Sequence, residues 1–391
     1  MLSVALAGKP NAGKSTFYKA ATMADVDVGN YPFTTIDPNR GVTHARTRCP
    51  CLDREERCGN CEDGVRYVPI ELLDVAGLVP GAHEGRGLGN QFLDALTDAD
   101  VILAVVDASG GTNEEGEPVE VGTYDPVEEA DFVEEELEQW LVGIIERNWE
   151  SVVRKSRSPD FDIDDALTEM LTGFGATEYD IAASLRALDY PDDPQQWTDE
   201  DQERLARDIR QRTKPIVLVA NKADIAPPEN LERLAESDKP VIPATADGEL
   251  ALRNAADAGV IEYNPGDDDF DVVGDVSDAQ MQGLETIREV LAEHGGTGVQ
   301  EAINTAVYDV LDMVTAYPVQ NETRWTDGTG DMLPDAFLLA RGSTPKDLAF
   351  AVHSDIGEGY LHAVDARSKR RIAEDYELEE GDVIKIVSTA S

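Results

Sequence analysis

GKPNAGKS, residues 8–15, follows directly on the apolar run 2–7. A strand, a glycine-bounded loop and a helix start in that order hold nucleoside triphosphates by their phosphates. Gly8 and Gly13 let backbone N–H groups, that of Ala12 among them, turn inward on phosphate oxygens, where the positive end of the following helix adds its field. In this reading Lys14 bridges the outer phosphates, Ser15 offers a hydroxyl to a magnesium ion, and Thr16 opens the helix. A chance match of the loop alone is the competing explanation, and three partner motifs argue against it.

The first partner is the apolar run 68–73, which ends in Asp74-Val75-Ala76-Gly77. A carboxylate at the tip of a core strand binds magnesium through water, and Gly77 lets its amide reach the outermost phosphate. The second is the loop-like Tyr31-Pro32-Phe33-Thr34-Thr35-Ile36-Asp37-Pro38, where Thr35 rather than Thr34 is assigned to the magnesium shell. The competing reading, that Thr34 and Thr35 merely begin a strand, is the less favoured one. The third is the run 216–220 followed by Asn221-Lys222-Ala223-Asp224, which reads the base. Guanine offers an N–H and an exocyclic amine side by side, and one carboxylate, Asp224, accepts both; adenine has an acceptor and no amine there. Asn221 is expected to tie the base loop to the phosphate loop, with the stem of Lys222 over the purine. A weaker signal, Thr245-Ala246 after the next strand, offers a backbone N–H to the guanine carbonyl.

Composition describes the setting. Acidic residues number 79 against 33 basic, a formal charge of -46, and ten of the bases are lysines. Self-repulsion of that size loosens a compact fold in dilute buffer, whereas in molar salt the screening length falls to about 3 Å and the carboxylates become a hydrated coat. A salt-loving host is expected. The acids are spread along the chain, so a solvated surface is favoured over a docking patch for basic partners. At 391 residues two or three domains are expected. No apolar run approaches the roughly 18 residues that cross a bilayer, and the chain enters its first strand without a basic leader. A cytoplasmic monomer with no membrane partner is therefore expected.

All four cysteines, Cys49, Cys51, Cys58 and Cys61, fall within 13 consecutive positions, 49–61. Cys58-Gly-Asn-Cys61 has the spacing of a zinc knuckle, while Cys49-Pro-Cys51 is tighter than usual. A zinc site, reduced free thiols in a surface loop, and redox-sensitive disulfides all remain open at this level.

Together, YPFTTIDPN, DVAGLVPGAHEGRGLGNQFLDAL and LPDAFLLARGSTPKDLAFAVHSDIGEGYLHAV resemble the archaeal branch of the YchF or Obg-like ATPase family, among the translation-factor-related GTPases. The resemblance covers nearly the whole chain apart from acidic loops. It implies an α/β architecture: a doubly wound, mostly parallel P-loop GTPase domain, an inserted coiled-coil-like helical arm, and a C-terminal ubiquitin-like β-grasp module, the TGS domain. It also implies a GTP/GDP cycle linked to ribosomes or ribosomal RNA. Bacterial and eukaryotic members carry an altered base tetrad and prefer ATP; Asn221, Lys222 and Asp224 here favour GTP.

Water activation is less legible. Leu78 stands where Ras-like enzymes place a water-orienting glutamine. The resemblance implies that Asn11 holds a potassium ion that neutralises the phosphates, so potassium-stimulated turnover is expected. His83, in Gly81-Ala82-His83-Glu84-Gly85, is a candidate base or water holder, though lone loop histidines are more often bystanders.

The alternation of strands and helices predicts the doubly wound sheet independently, with 101–106 as a buried parallel strand. The glycine-rich segment 77–89 is expected to report the terminal phosphate and helix 90–97 to carry that signal outward. The G domain is assigned to 1–124 and 213–316, a helical insert to 125–212 and the TGS domain to 317–391. Within the insert, Asp125-Pro126 starts a helix and apolar positions recur at three and four residues through 132–145; further helices are expected over 163–172, 178–188 and 198–211. The insert either reaches a partner or merely packs. Helices are also expected over 282–293 and 299–317, and short strands around one helix from 318 onward. Arg367, Lys369, Arg370 and Arg371 form the densest basic cluster, suited to ribosomal RNA phosphates or to a solvated turn.

Overall fold

The computed structural model describes residues 1–22, 40–75, 77, 81 and 96–389. Thr35, Leu78 and His83, and most of the expected 77–89 loop and 90–97 helix, lie outside them.

Six strands build the nucleotide sheet: β1 Ser3–Ala7, β2 Arg40–Arg48, β3 Val65–Asp74, β4 Val101–Asp107, β5 Ile216–Asn221 and β6 Val241–Ala244. Their order is β2-β3-β1-β4-β5-β6, with β1 parallel to β3 and β4, β4 to β5, and β5 to β6. Every residue of β1, β4 and β5 is buried, as unbroken Val, Ile, Leu and Ala runs demand in strands covered on both faces. Register sets Leu6 beside Asp74 and Asp107 beside Asn221. The carboxyl ends of four strands thus share one edge, where open α/β sheets take their ligands.

The insert is helical, as its periodicity predicts. Asp125 caps Pro126–Ala130, and Phe132–Lys155 runs for 24 residues. The shorter helices are Ile163–Leu171, Glu178–Ala187 and Asp199–Thr213. Thr177 and Thr198 each close a capping box with an aspartate three residues on. Leu137, Leu141 and Ile145 belong to the same packed cluster as Ala104 and Val106 of β4, so much of the insert's apolar face is consumed in the sheet's own core. Trp140 on Phe174, and Trp149 and Tyr190 on Trp197, fill its far side.

One expectation fails locally. The helix expected to reach residue 317 stops early: Val299–Asn304 is α-helical, Thr305–Val310 is π-helical, and β9 Met313–Val319 is a strand. Asp312 at φ 48° ends the helical path, and β9 pairs on both sides, so sheet pairing outweighs a helix-like apolar spacing. Beyond residue 247, where the sequence signal is thin, Ala246–Asp257 forms a helix capped by Thr245, followed by the small hairpin β7 Ile261–Glu262 and β8 Asp271–Val272.

Contacts divide the chain into two units, one containing Glu71–Ala302 with β1 and its following helix, the other uniting Thr43–Ile70 with Ile303 onward. The second is built on β9, β10 Phe337–Ala340, β11 Tyr360–Asp365, β12 Arg370–Ile372 and β13 Asp382–Ser388, ordered β10-β9-β13-β11-β12. Strands β9 and β13 are parallel and the other neighbours antiparallel. Helix Pro345–Val352 has Thr344 and Asp347 in a capping box, and its Leu348 packs with Val314, Ala316, Ala363 and Ile384 of the sheet.

Candidate nucleotide site

Between β1 and α1, Lys14–Thr22, the phosphate loop turns through two glycines at positive φ. A Cβ on Gly8 (φ +140°) would lie 2.3 Å from the Val105 carbonyl oxygen, and one on Gly13 (φ +104°) 2.0 Å from Asn221 Nδ2. Both glycines are required by close approach as well as by conformation.

Asn221 joins the two nucleotide loops as the sequence anticipates. Its Nδ2 donates to Ala12 O at 2.9 Å, and its Oδ1 accepts from the Ala246 N–H at 3.1 Å. Lys222 sits at φ 61° and its Nζ reaches Asp107 Oδ2 at 2.8 Å. Asp107 is fully buried at the end of β4 and also accepts from Ser109 and Thr112, which fixes the direction of the Lys222 stem. Asp224 is exposed just beyond; among the described residues it has no hydrogen-bond partner. The Thr245 N–H is spent on Thr297 O and its hydroxyl on capping Gly248 N–H. The amides of Thr245 and Ala246 are therefore both committed inside the protein.

At the phosphate end, Ser15 Oγ donates to Asp74 Oδ2 at 3.2 Å. Burial pushes the Asp74 carboxyl upward, opposed by Ser15 and Lys14. A hydroxyl and a desolvated carboxylate facing each other form a donor set that fits magnesium, which supplies charge neutralisation at the phosphates when bound. Gly77 is exposed, its α-carbon facing Pro10 of the phosphate loop. Asn11, also at positive φ (62°), is held by its side-chain amide to Gly116 O at 2.9 Å.

Lys14 Nζ donates to Lys9 O at 2.8 Å, and burial lowers its pKa to about 8 against the pull of Asp74 and Glu129. Phosphate oxygens restore a high pKa, so below about pH 8 the ammonium is charged whether or not nucleotide is bound. Above it, binding must first protonate the amine. Nucleotide affinity is expected to be flat up to about pH 8 and to fall roughly tenfold per pH unit beyond, with proton uptake in calorimetry. An affinity that stays flat to about pH 9.5 would refute this.

Two acids of the insert, Glu129 and Glu136, escape sequence reading. Lys9 is buried, its Nζ 2.7 Å from Glu129 Oε2, 3.0 Å from Thr112 O and 4.3 Å from the Tyr124 ring centre. Burial lifts Glu129 to about 7 even with Lys9 opposing. Breaking such a buried pair by removing one partner costs about 3–5 kcal/mol. Further along, Glu136 accepts from the Gly81 N–H at 2.7 Å. The insert therefore holds both Lys9 of the phosphate loop and Gly81. The available signal was that Asp107 ends a strand, Val101–Asp107, that is apolar up to that residue.

Elsewhere, Arg367 pairs with Asp53 and lies over the Trp325 ring, while Lys369, Arg370 and Arg371 are exposed, the last two on β12. The four cysteines do assemble: their Sγ atoms all lie within 4.8 Å of one another.

A family model described as a 50S ribosome-binding GTPase matches residues 3–147, one for the G4-motif-containing domain of an Obg-like GTPase matches 219–321, and one for the TGS domain matches 330–388. A GTP-binding protein of Methanocaldococcus jannaschii is 45% identical, with all of both chains covered. The chain belongs to the Obg-like (YchF) GTPase family. A GTP-binding protein of Schizosaccharomyces pombe is 32% identical over 87% of each chain, and the ribosome-binding ATPase YchF of Bacillus subtilis 26% identical over 93% of this chain and 87% of its own. The crystal structure of a GTP-binding protein from Pyrococcus horikoshii superposes with a TM-score of 0.80 at 38% identity, covering 99% of this chain and 100% of that one. As an Obg-like protein the chain is a P-loop nucleotide hydrolase that uses Mg2+. Among its described residues no helix is long and apolar enough to cross a membrane.

Proposed function

We propose that this Obg-like protein hydrolyses GTP in preference to ATP and works as a cytoplasmic, monomeric switch on the ribosome. The observation that carries the reading is the base loop: Asn221 clamps Ala12 and Ala246, the Asp107 ion pair aims Lys222, and Asp224 stands exposed with free acceptors. One carboxylate is complementary to the paired donors of guanine and repels the acceptor edge of adenine. Ser15 and Asp74, with Thr35 from the loop outside the described residues, are assigned to the Mg2+ shell.

For the switch, contacts between the insert and both phosphate-side segments support a readout. Glu129 holds Lys9 and Glu136 holds the Gly81 N–H, so movement of either segment on loss of the terminal phosphate reaches the helices directly. Potassium beside Asn11 is assigned the stimulatory role, because Leu78 supplies no polar group and His83 is only a candidate water holder. The partner is proposed from names: the relatives in Bacillus subtilis and in two Mycoplasma species are ribosome-binding ATPases.

The test is competition of GTP with ATP in molar KCl, followed by single-turnover hydrolysis with and without ribosomes and with NaCl replacing KCl. GTP is expected to win by at least about 100-fold, and both ribosomes and potassium to accelerate turnover. An ATP preference rejects the base assignment, equal rates in the two salts reject potassium, and no acceleration by ribosomes favours a nucleotide-gated binding module with incidental hydrolysis.

A further inference from the structure

The four cysteines take no part in the nucleotide site, yet their sulfurs form a compact cluster. Cys49 and Cys58 Sγ are 3.7 Å apart, Cys51 and Cys61 3.5 Å, Cys58 and Cys61 3.5 Å, and all lie within 4.8 Å. Four thiolates around one ion at a Zn–S distance of about 2.3 Å stand about 3.8 Å apart at the corners of a tetrahedron. The observed spacings match that figure; they are too short for sulfurs spread around an iron–sulfur cage.

The backbone presents the sulfurs in the manner such a site requires. Pro50–Asp53 is a single 3-10 turn that places Cys49 and Cys51 side by side, and Gly59 at φ +74° lets Cys58-Gly-Asn-Cys61 fold into a knuckle. The Asn60 N–H points at Cys58 Sγ from 3.4 Å, a donor to a ligand sulfur of the kind that orients metal thiolates. Arg57 donates to Cys51 O and Arg66 to Asn60 O, bringing two guanidinium charges to a centre that, with four thiolates on a divalent ion, is doubly negative. The Tyr317 hydroxyl, fully buried in the same packed group as Cys49 and Cys51, has no hydrogen-bond partner among the described residues.

We propose that Cys49, Cys51, Cys58 and Cys61 bind one structural zinc ion that fastens the 49–66 segment to the C-terminal sheet. The fastening is visible around the cluster. Cys49 and Cys51 pack with Tyr317, Val319, Trp325, Leu333 and Val383. Asn60 Nδ2 donates to Met332 O, Arg66 to Pro334 O, and Arg54 to Thr323 O. A metal joining the four thiolates adds to this packing and hydrogen bonding by fixing the turn positions that carry Asn60 and Arg66. Because no nucleotide ligand is involved, the ion acts on stability and leaves chemistry at the phosphate loop untouched.

The full-length protein, purified under reducing conditions without chelator, is expected to carry about one zinc per chain by elemental analysis. Replacement by cobalt is expected to give the thiolate charge-transfer and ligand-field bands of a tetrahedral centre. Removing zinc from the wild-type protein with a chelator is expected to speed hydrogen exchange in 49–66 and 323–334 while GTP affinity stays the same. Cys58→Ser with Cys61→Ser tests the ligands; should that variant fail to fold, the wild-type zinc and cobalt measurements stand alone. Less than about half an equivalent of zinc together with no cobalt spectrum, stoichiometric iron in place of zinc, or metal-free protein without titratable thiols would each overturn the assignment. None of these results bears on the GTP reading.

Discussion

Asp224→Ala is expected to abolish discrimination between guanine and adenine nucleotides. The carboxylate is the one group assigned to the paired donors of guanine, and a site built around such a pair rejects an analogue lacking it by about 10⁴-fold. Truncation removes both the attraction and the repulsion, so GTP affinity should fall by a factor on the order of 10³ and the GTP-to-ATP ratio should approach unity. The fold should be unaffected, because Asp224 is exposed and surface substitutions without partners cost within about 0.5 kcal/mol. Equilibrium competition with a fluorescent guanine nucleotide, alongside a melting curve, reads both quantities. A ratio unchanged from wild type would transfer the selectivity to another residue and revive the ATPase reading.

Gly13→Ala is expected to be more damaging than its one added methyl suggests. That methyl would sit 2.0 Å from Asn221 Nδ2 on a backbone at φ +104°. Two costs combine. Forcing an L-residue into that conformation stores about 1–3 kcal/mol, and displacing Asn221, which is buried, strips partners from Ala12 O and the Ala246 N–H at about 1–3 kcal/mol per orphaned group. A loss of roughly 3–9 kcal/mol in stability follows. Nucleotide affinity should fall at least about 100-fold, because the clamp between phosphate and base loops opens. Gly173→Ala is the control: its φ is ordinary and no atom lies within 4 Å of the new methyl. Chemical denaturation and nucleotide titration of both variants decide the matter; equal stabilities would mean Asn221 is free to move aside.

The contrast between these residues and their hidden partners shows where sequence reading stops. Lys14, Ser15, Asp74 and Asn221 are legible because a phosphate or a purine demands a short, contiguous set of residue types at the end of an apolar strand. Lys9 is in the same loop, but its partner Glu129 lies in the insert, and nothing local distinguishes that glutamate from the chain's other acids. The same holds for Lys222 and Asp107, 115 residues apart. In the C-terminal unit, 313–317 falls within the helix expected over 299–317, and pairing with β10 and β13 makes it a strand.

By itself the sequence determined the class of the molecule: a phosphate loop on a parallel sheet, a capped helical insert and a small C-terminal module, all written in local periodicity, caps and turn residues. Tertiary structure alone decided which acid neutralises Lys9, how Lys222 is aimed, that Arg367 is engaged by Asp53, and that four cysteines meet at one point. The physical reason is range. Backbone preference and amphipathic spacing act over a few residues, whereas burial, ion pairing and sulfur convergence depend on segments that only folding brings together.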